Sequence, residues 1–161
     1  VTQTTLYGYI KTRIGSRYAM MFEDKKFSES INIAKWNIYV SCLSDCTAYA
    51  FSYLIDLKNL KQNDAEKIFL SIIQEEKKNG LDAKVFEEAK LEFQNKIRQV
   101  DWKNYHKTNP FTQSGLALYK WSPIAEELKI LDKKIVLNSM SLKWNLVVDE
   151  FKSLTKKLNF N

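Results

Sequence analysis

The 27 residues from Ile31 to Leu57 constrain this chain more than any other stretch, because only Lys35, Asp45 and Asp56 among them carry charge. Taken as a helix, the stretch sets Ile33, Trp36, Val40, Leu43, Ala50, Leu54 and Leu57 on one stripe at steps of three and four, with Thr47 in the remaining register position. The opposite side, with Ile31, Ile38, Tyr39, Cys42, Cys46, Tyr49 and Phe51, is hardly more polar. A helix apolar nearly all round belongs in the middle of a domain, with other helices packed around it. Tyr49, Phe51, Tyr53, Ile55 and Leu57 also alternate as a half-buried strand does. The sequence therefore leaves an α+β alternative with residues 49–57 as a strand. The unbroken three-four register, with no Gly or Pro between Gly15 and Gly80, favours the helix.

Composition supports that choice. Four Gly and two Pro in 161 residues are too few for a β-sandwich, which needs a turn about every ten residues. The length suits one domain with one sizeable core. The expectation is a single all-α domain over residues 1–161, a bundle of about six helices around the 31–57 helix.

Local signals place the others. Leu6, Ile10, Ile14, Tyr18 and Met21 mark an amphipathic first helix in which Gly15 is a kink or a close contact. Ser28 or Ser30 is placed to cap the central helix. Asn63 and Glu66 form a capping-box variant, and Lys77-Lys78-Asn79-Gly80 ends the helix they open. Asp82 caps the next, with Phe86, Ala89, Phe93, Ile97 and Val100 as its seam, so the two form an antiparallel hairpin. Ser122-Pro123 restarts a helix with the inward seam Ile124, Leu128, Leu131 and Ile135, and a separate last helix begins near Met140. Its seam is Met140, Trp144, Val147, Phe151, Leu154 and Leu158.

Residues 101–121 break the pattern. Asn109-Pro110 and Ser114-Gly115 read as turns, and a connection this long in a compact domain is often functional. It holds Trp102, Tyr105, Phe111, Tyr119 and Trp121 interleaved with Lys103, Lys107 and Lys120. Aromatic residues with cations suit a protein-interface hot spot or stacking on single-stranded bases; folded inward, the same aromatics plug the end of the bundle. Trp102 continues the preceding seam inward, which leaves Trp121 as the one expected to face solvent.

Chemistry is harder to find. His106 is the only histidine and has no partner at metal-ligand spacing, and neither HExxH, GxGxxG nor a phosphate loop occurs. Cys42 could act as a nucleophile with His106 as base, but a thiol in the most apolar helix is expected to be buried and inert. Asp149-Glu150 and Glu75-Glu76 point about 100° apart on a helix and make poor shared acid-base pairs. No cofactor or metal is expected, and the enzyme reading is the weaker one.

The net charge of +6 is uneven: residues 1–30 carry +2, residues 31–100 balance, and residues 101–161 carry +4. Basicity of this size suits nucleic acid, acidic lipid or an acidic protein. Cys42 and Cys46 read as reduced thiols, which favours a reducing intracellular compartment. No run of 18 uncharged apolar residues occurs, so no transmembrane segment is expected. The chain opens on Val1, so nothing about targeting follows from its start.

The segment Asp64 to Phe93, with Asn79-Gly80-Leu81 followed by Glu87-Glu88-Ala89-Lys90, resembles the helical hairpin of insulinase-type metallopeptidase repeats. The resemblance covers under half the chain, and the catalytic zinc motif of that family is missing. It implies a non-catalytic half in which Tyr49–Leu57 is a strand. The residues themselves point instead to a non-enzymatic interaction subunit or adaptor that binds a protein through exposed aromatics. An RNA or single-stranded nucleic-acid binder that also uses Lys11, Arg13, Arg17, Lys152, Lys156 and Lys157 is the alternative.

Overall fold

The structure, a computed structural model, describes residues 2–58 and 63–157. In chain order its elements are α1 (Thr2–Ile14), the single turn α2 (Tyr18–Met21), α3 (Lys25–Lys58), α4 (Asn63–Glu76), α5 (Ala83–Gln99), α6 (Thr112–Trp121) and α7 (Glu126–Lys157). The described residues are 87% helical and hold no strand, so the all-α expectation holds. Residues 49–57, the strand alternative, lie inside α3, and the strand implied by the metallopeptidase resemblance is absent there.

The central helix is where the charge pattern places it. α3 packs against α1, α4, α5 and α6 at once. Its cap differs from expectation: Asp24, not Ser28 or Ser30, opens it, accepting from Lys26 N at 2.8 Å and Phe27 N at 3.2 Å. The earlier cap lets α3 begin at Lys25, six residues before the apolar run. α3 is long and apolar enough to cross a membrane, yet half of that stretch is buried among the other helices, as in a core helix.

The α4–α5 hairpin forms from its local chemistry. Gly80 takes the left-handed conformation at φ 97°. Asp82 accepts from Lys84 N at 2.8 Å and Val85 N at 3.4 Å. Phe69 and Phe93 stack across the hairpin at 4.0 Å. Gly15, at φ 65°, separates α1 from a short 3-10 turn and α2, which accounts for the kink. The side chains of Leu57 and Asn63, and with them the Asn63 cap, are not described, and Leu158 lies outside the described residues.

The C-terminal third departs most from expectation. Ser114 and Gly115 are not a turn but buried positions in α6. An ideal Cβ on Gly115 would lie 2.8 Å from Leu137 Cδ2, so α6 lies close against α7 here and a side chain would require Leu137 to shift. Ser122 does not begin a helix; its hydroxyl donates to Leu118 O at 2.6 Å and closes α6. Beyond it one helix of 32 residues replaces the expected two.

Two main apolar clusters flank α3. One joins α1, α6 and α7 around Leu6, Ile10, Ile38, Leu118, Met140 and Trp144. The other joins α4 and α5 around Phe69, Ile73, Phe86 and Phe93. A small third cluster, Phe51, Ala65 and Trp102, closes one end.

Candidate interaction surface

The aromatic segment folds largely inward. Trp102 is 7% exposed, as its place after the α5 seam suggests. Phe111 is buried as well, stacked on Trp144 with ring centroids 4.2 Å apart and 5.3 Å from Tyr49. Tyr105 is half-buried and donates its hydroxyl to Pro110 O at 3.0 Å. The expectation that Trp121 faces solvent is not met: it is half-buried against the α1–α6–α7 cluster, with Lys120 Nζ 5.0 Å from its ring centroid. Lys103, Lys107 and Lys120 remain in water, and Lys107 pairs with Asp56 at 3.0 Å. The reason is apolar area: large rings at the end of an open bundle gain more by filling it than by facing solvent.

His106, without a metal-ligand partner in its local sequence, finds partners across the fold. Its Nδ1 lies 2.9 Å from Ser52 Oγ and its Nε2 3.6 Å from Asp56 Oδ2. Serine, histidine and aspartate in line have the composition of a nucleophilic triad. Here, however, Ser52 is 0% exposed, so no substrate atom reaches its oxygen. Ser52 also lies 2.7 Å from Trp102 O as donor and accepts from His106 N at 3.0 Å. The cluster therefore fastens the 101–111 segment to α3.

Burial, and next the neighbouring Lys107, hold the His106 imidazole below its ordinary pKa, against a partial opposing pull from Asp56. With the folded pKa below the unfolded value near 6.5, the unfolded chain binds the extra proton as pH falls. This contribution to stability is present above about pH 6.5 and is lost as pH drops through the folded value. Thermal melts between about pH 7.5 and 5.5 are expected to show a falling Tm in the wild type and a flatter profile in His106→Asn. Equal slopes in the two proteins would contradict this assignment.

Both thiols face the interior, and burial raises them, Cys46 to about 12, so neither has the thiolate character of a nucleophile. Among the described residues no group of His, Cys, Asp and Glu is gathered to hold a metal ion. A cleft of about 640 Å³ opens between α3, α5 and the segment before α6, lined by Ser44, Glu92, Asn95, Lys96, Tyr105 and Gln113 among others. Lys96 on its wall is already paired. Lys96 pairs with Asp45, whose other oxygen accepts from Ser114 N at 2.8 Å and Ser114 Oγ at 2.6 Å.

The surface that stands out is on α7, and it inverts the expected orientation. Leu128, Leu131 and Ile135, read from sequence as an inward seam, point into solvent, and Leu142 and Leu146 continue the same stripe. Leu131 is 78% exposed and Leu146 72%. At 100° per residue the five side chains fall within an arc of about 60°. The inner face of the same turns carries charge. Lys129 is buried with Nζ 3.1 Å from Lys120 O and 2.9 Å from Glu126 Oε1, closing the end of α6. Asp132, also buried, pairs with Arg13 and accepts from Tyr9 Oη at 3.0 Å.

The cause is continuity of phase. Val136, Met140 and Trp144 must face the core, and an unbroken helix then turns residues 128, 131 and 135 to the far side. The signal was present in the sequence as two apolar seams out of register, which a helix break near residue 139 would have reconciled. No protein-family model, curated protein or solved structure matches this chain.

Proposed function

We propose that this chain is a non-enzymatic protein-interaction unit whose contact surface is the outward face of α7. The observation that carries the reading is the exchange of sides: charged Lys129 and Asp132 lie inside while Leu131, Ile135, Leu142 and Leu146 lie outside. Contiguous apolar surface of this kind on a soluble protein marks a binding site. The aromatic segment contributes less than its composition suggests, because Trp102 and Phe111 are committed to the interior. The nucleic-acid alternative is the less favoured for the same reason, because Trp102 and Phe111 are buried and Tyr105 and Trp121 are half-buried.

A photo-crosslinking side chain at residue 142, introduced into the full chain in its native source, tests the reading. It is expected to capture a protein chain, whereas the same probe at Leu91, an exposed apolar side chain on α5, captures none. No adduct from residue 142 removes the basis of the proposal.

A further inference from the structure

Resting on the reading of α7 as a contact surface, we infer that its occupant is a second copy of this chain, paired antiparallel about a two-fold axis between residues 138 and 139. The four most exposed members of the stripe are spaced as a palindrome, with Leu128 outside it. Leu131, Ile135, Leu142 and Leu146 follow one another at four, seven and four residues, so the order read backwards is the same. An antiparallel copy therefore sets Ile135 against the partner's Leu142, and Leu131 against the partner's Leu146, in both halves at once. That is the self-complementarity an isologous two-fold interface requires. A foreign helix would make no use of it.

Three further observations agree. Asn138 and Ser139 fall at the centre, where a polar residue in an apolar seam fixes register. Glu127 flanks the stripe on the side of Lys152, and the two-fold brings Glu127 near the partner's Lys152 at each end. Lys134 meets the partner's Ser141 and Asn145, whereas Asp149 lies opposite the partner's Leu128 and beside its Glu127, so the apolar pairing runs from Leu131 to Leu146 and stops there. The exposed parts of Leu131, Ile135, Leu142 and Leu146 amount to roughly 500 Å² per copy, so complete pairing removes at most roughly 1,000 Å², the size of a small specific interface. A bilayer surface fits less well, since acidic Glu127, Asp149 and Glu150 interrupt the basic flanks that anionic lipid selects.

Sedimentation equilibrium of the purified full chain is expected to give twice the 18.9 kDa of one copy. Leu142→Glu is expected to raise the dissociation constant by about tenfold or more while leaving the helical circular dichroism intact, because residue 142 is 68% exposed in a single copy. Orientation is read separately by mixing Leu131→Cys and Leu146→Cys proteins under mild oxidation. The antiparallel pair gives the mixed disulfide, and the core-facing native Cys42 and Cys46 do not compete. Self-linked Leu131→Cys in place of the mixed product means a parallel pair and overturns the two-fold placed here. A monomer at about 100 µM overturns the pairing itself. Capture of a different chain from residue 142 would then leave the contact surface standing with another occupant.

Discussion

Asp45→Ala is expected to destabilise the fold by about 3–5 kcal/mol, the cost of breaking a buried ion pair from one side. Asp45 lies on α3 with 0% exposure and holds three helices together. It pairs with Lys96 of α5 and accepts from the backbone N–H and the hydroxyl of Ser114 in the first turn of α6. Phe111, which precedes that turn, offers no side-chain cap. Asp45 therefore satisfies an amide that the helix itself leaves without a partner. Removing it leaves a largely buried ammonium and an orphan N–H together. At this chain length Tm should fall by roughly 6–20 °C in calorimetry. Asp45→Asn, which keeps an acceptor but no charge, should fall between the two. The double variant Asp45→Ala, Lys96→Met should recover much of the loss, because a buried charge without its partner is the larger part of the cost. A loss below about 1 kcal/mol in Asp45→Ala would mean that the tie adds little to the fold.

Phe111→Ala is expected to cost a comparable amount, about 3–5 kcal/mol, for a buried aromatic truncated to a methyl group. Its ring lies nearly parallel to Trp144, at 8°, and closes an aromatic cluster with Tyr49, Tyr53 and Phe151. The measurement separates two uses of one residue. A plug shows its loss in chemical denaturation of the isolated chain, whereas an interface anchor shows it in binding and leaves the isolated chain nearly as stable. A small change in stability beside a large change in association would return residues 101–111 to the contact surface.

These two positions also show where sequence reasoning reaches. The Gly80 stop, the Asp82 cap and the Gly15 kink were legible, because each is decided by residues within one turn of one another. The centrality of α3 was legible because a helix apolar on nearly every side packs among other helices. Asp45 stood out as a charge in an apolar run, yet its partners lie 51 and 69 residues away. No local pattern joins them. Ser114-Gly115 has the composition of a turn and is used for close helix contact instead. The exposed face of α7 was visible as a periodicity, but its direction depends on whether the helix breaks near residue 139. Continuity through that point is settled by packing of Val136, Met140 and Trp144 on the rest of the bundle.

The position of α3 between its two apolar clusters has a further consequence for how the molecule comes apart. Ile38 and Cys42 on one side belong to the cluster with α1, α6 and α7, while Trp36 and Val40 on the other belong to the cluster with α4 and α5. Each compartment has the same helix as its wall. Fraying of α3 strips both together, so loss of either compartment exposes the other, and cooperativity resides in that shared wall rather than in a single pooled core.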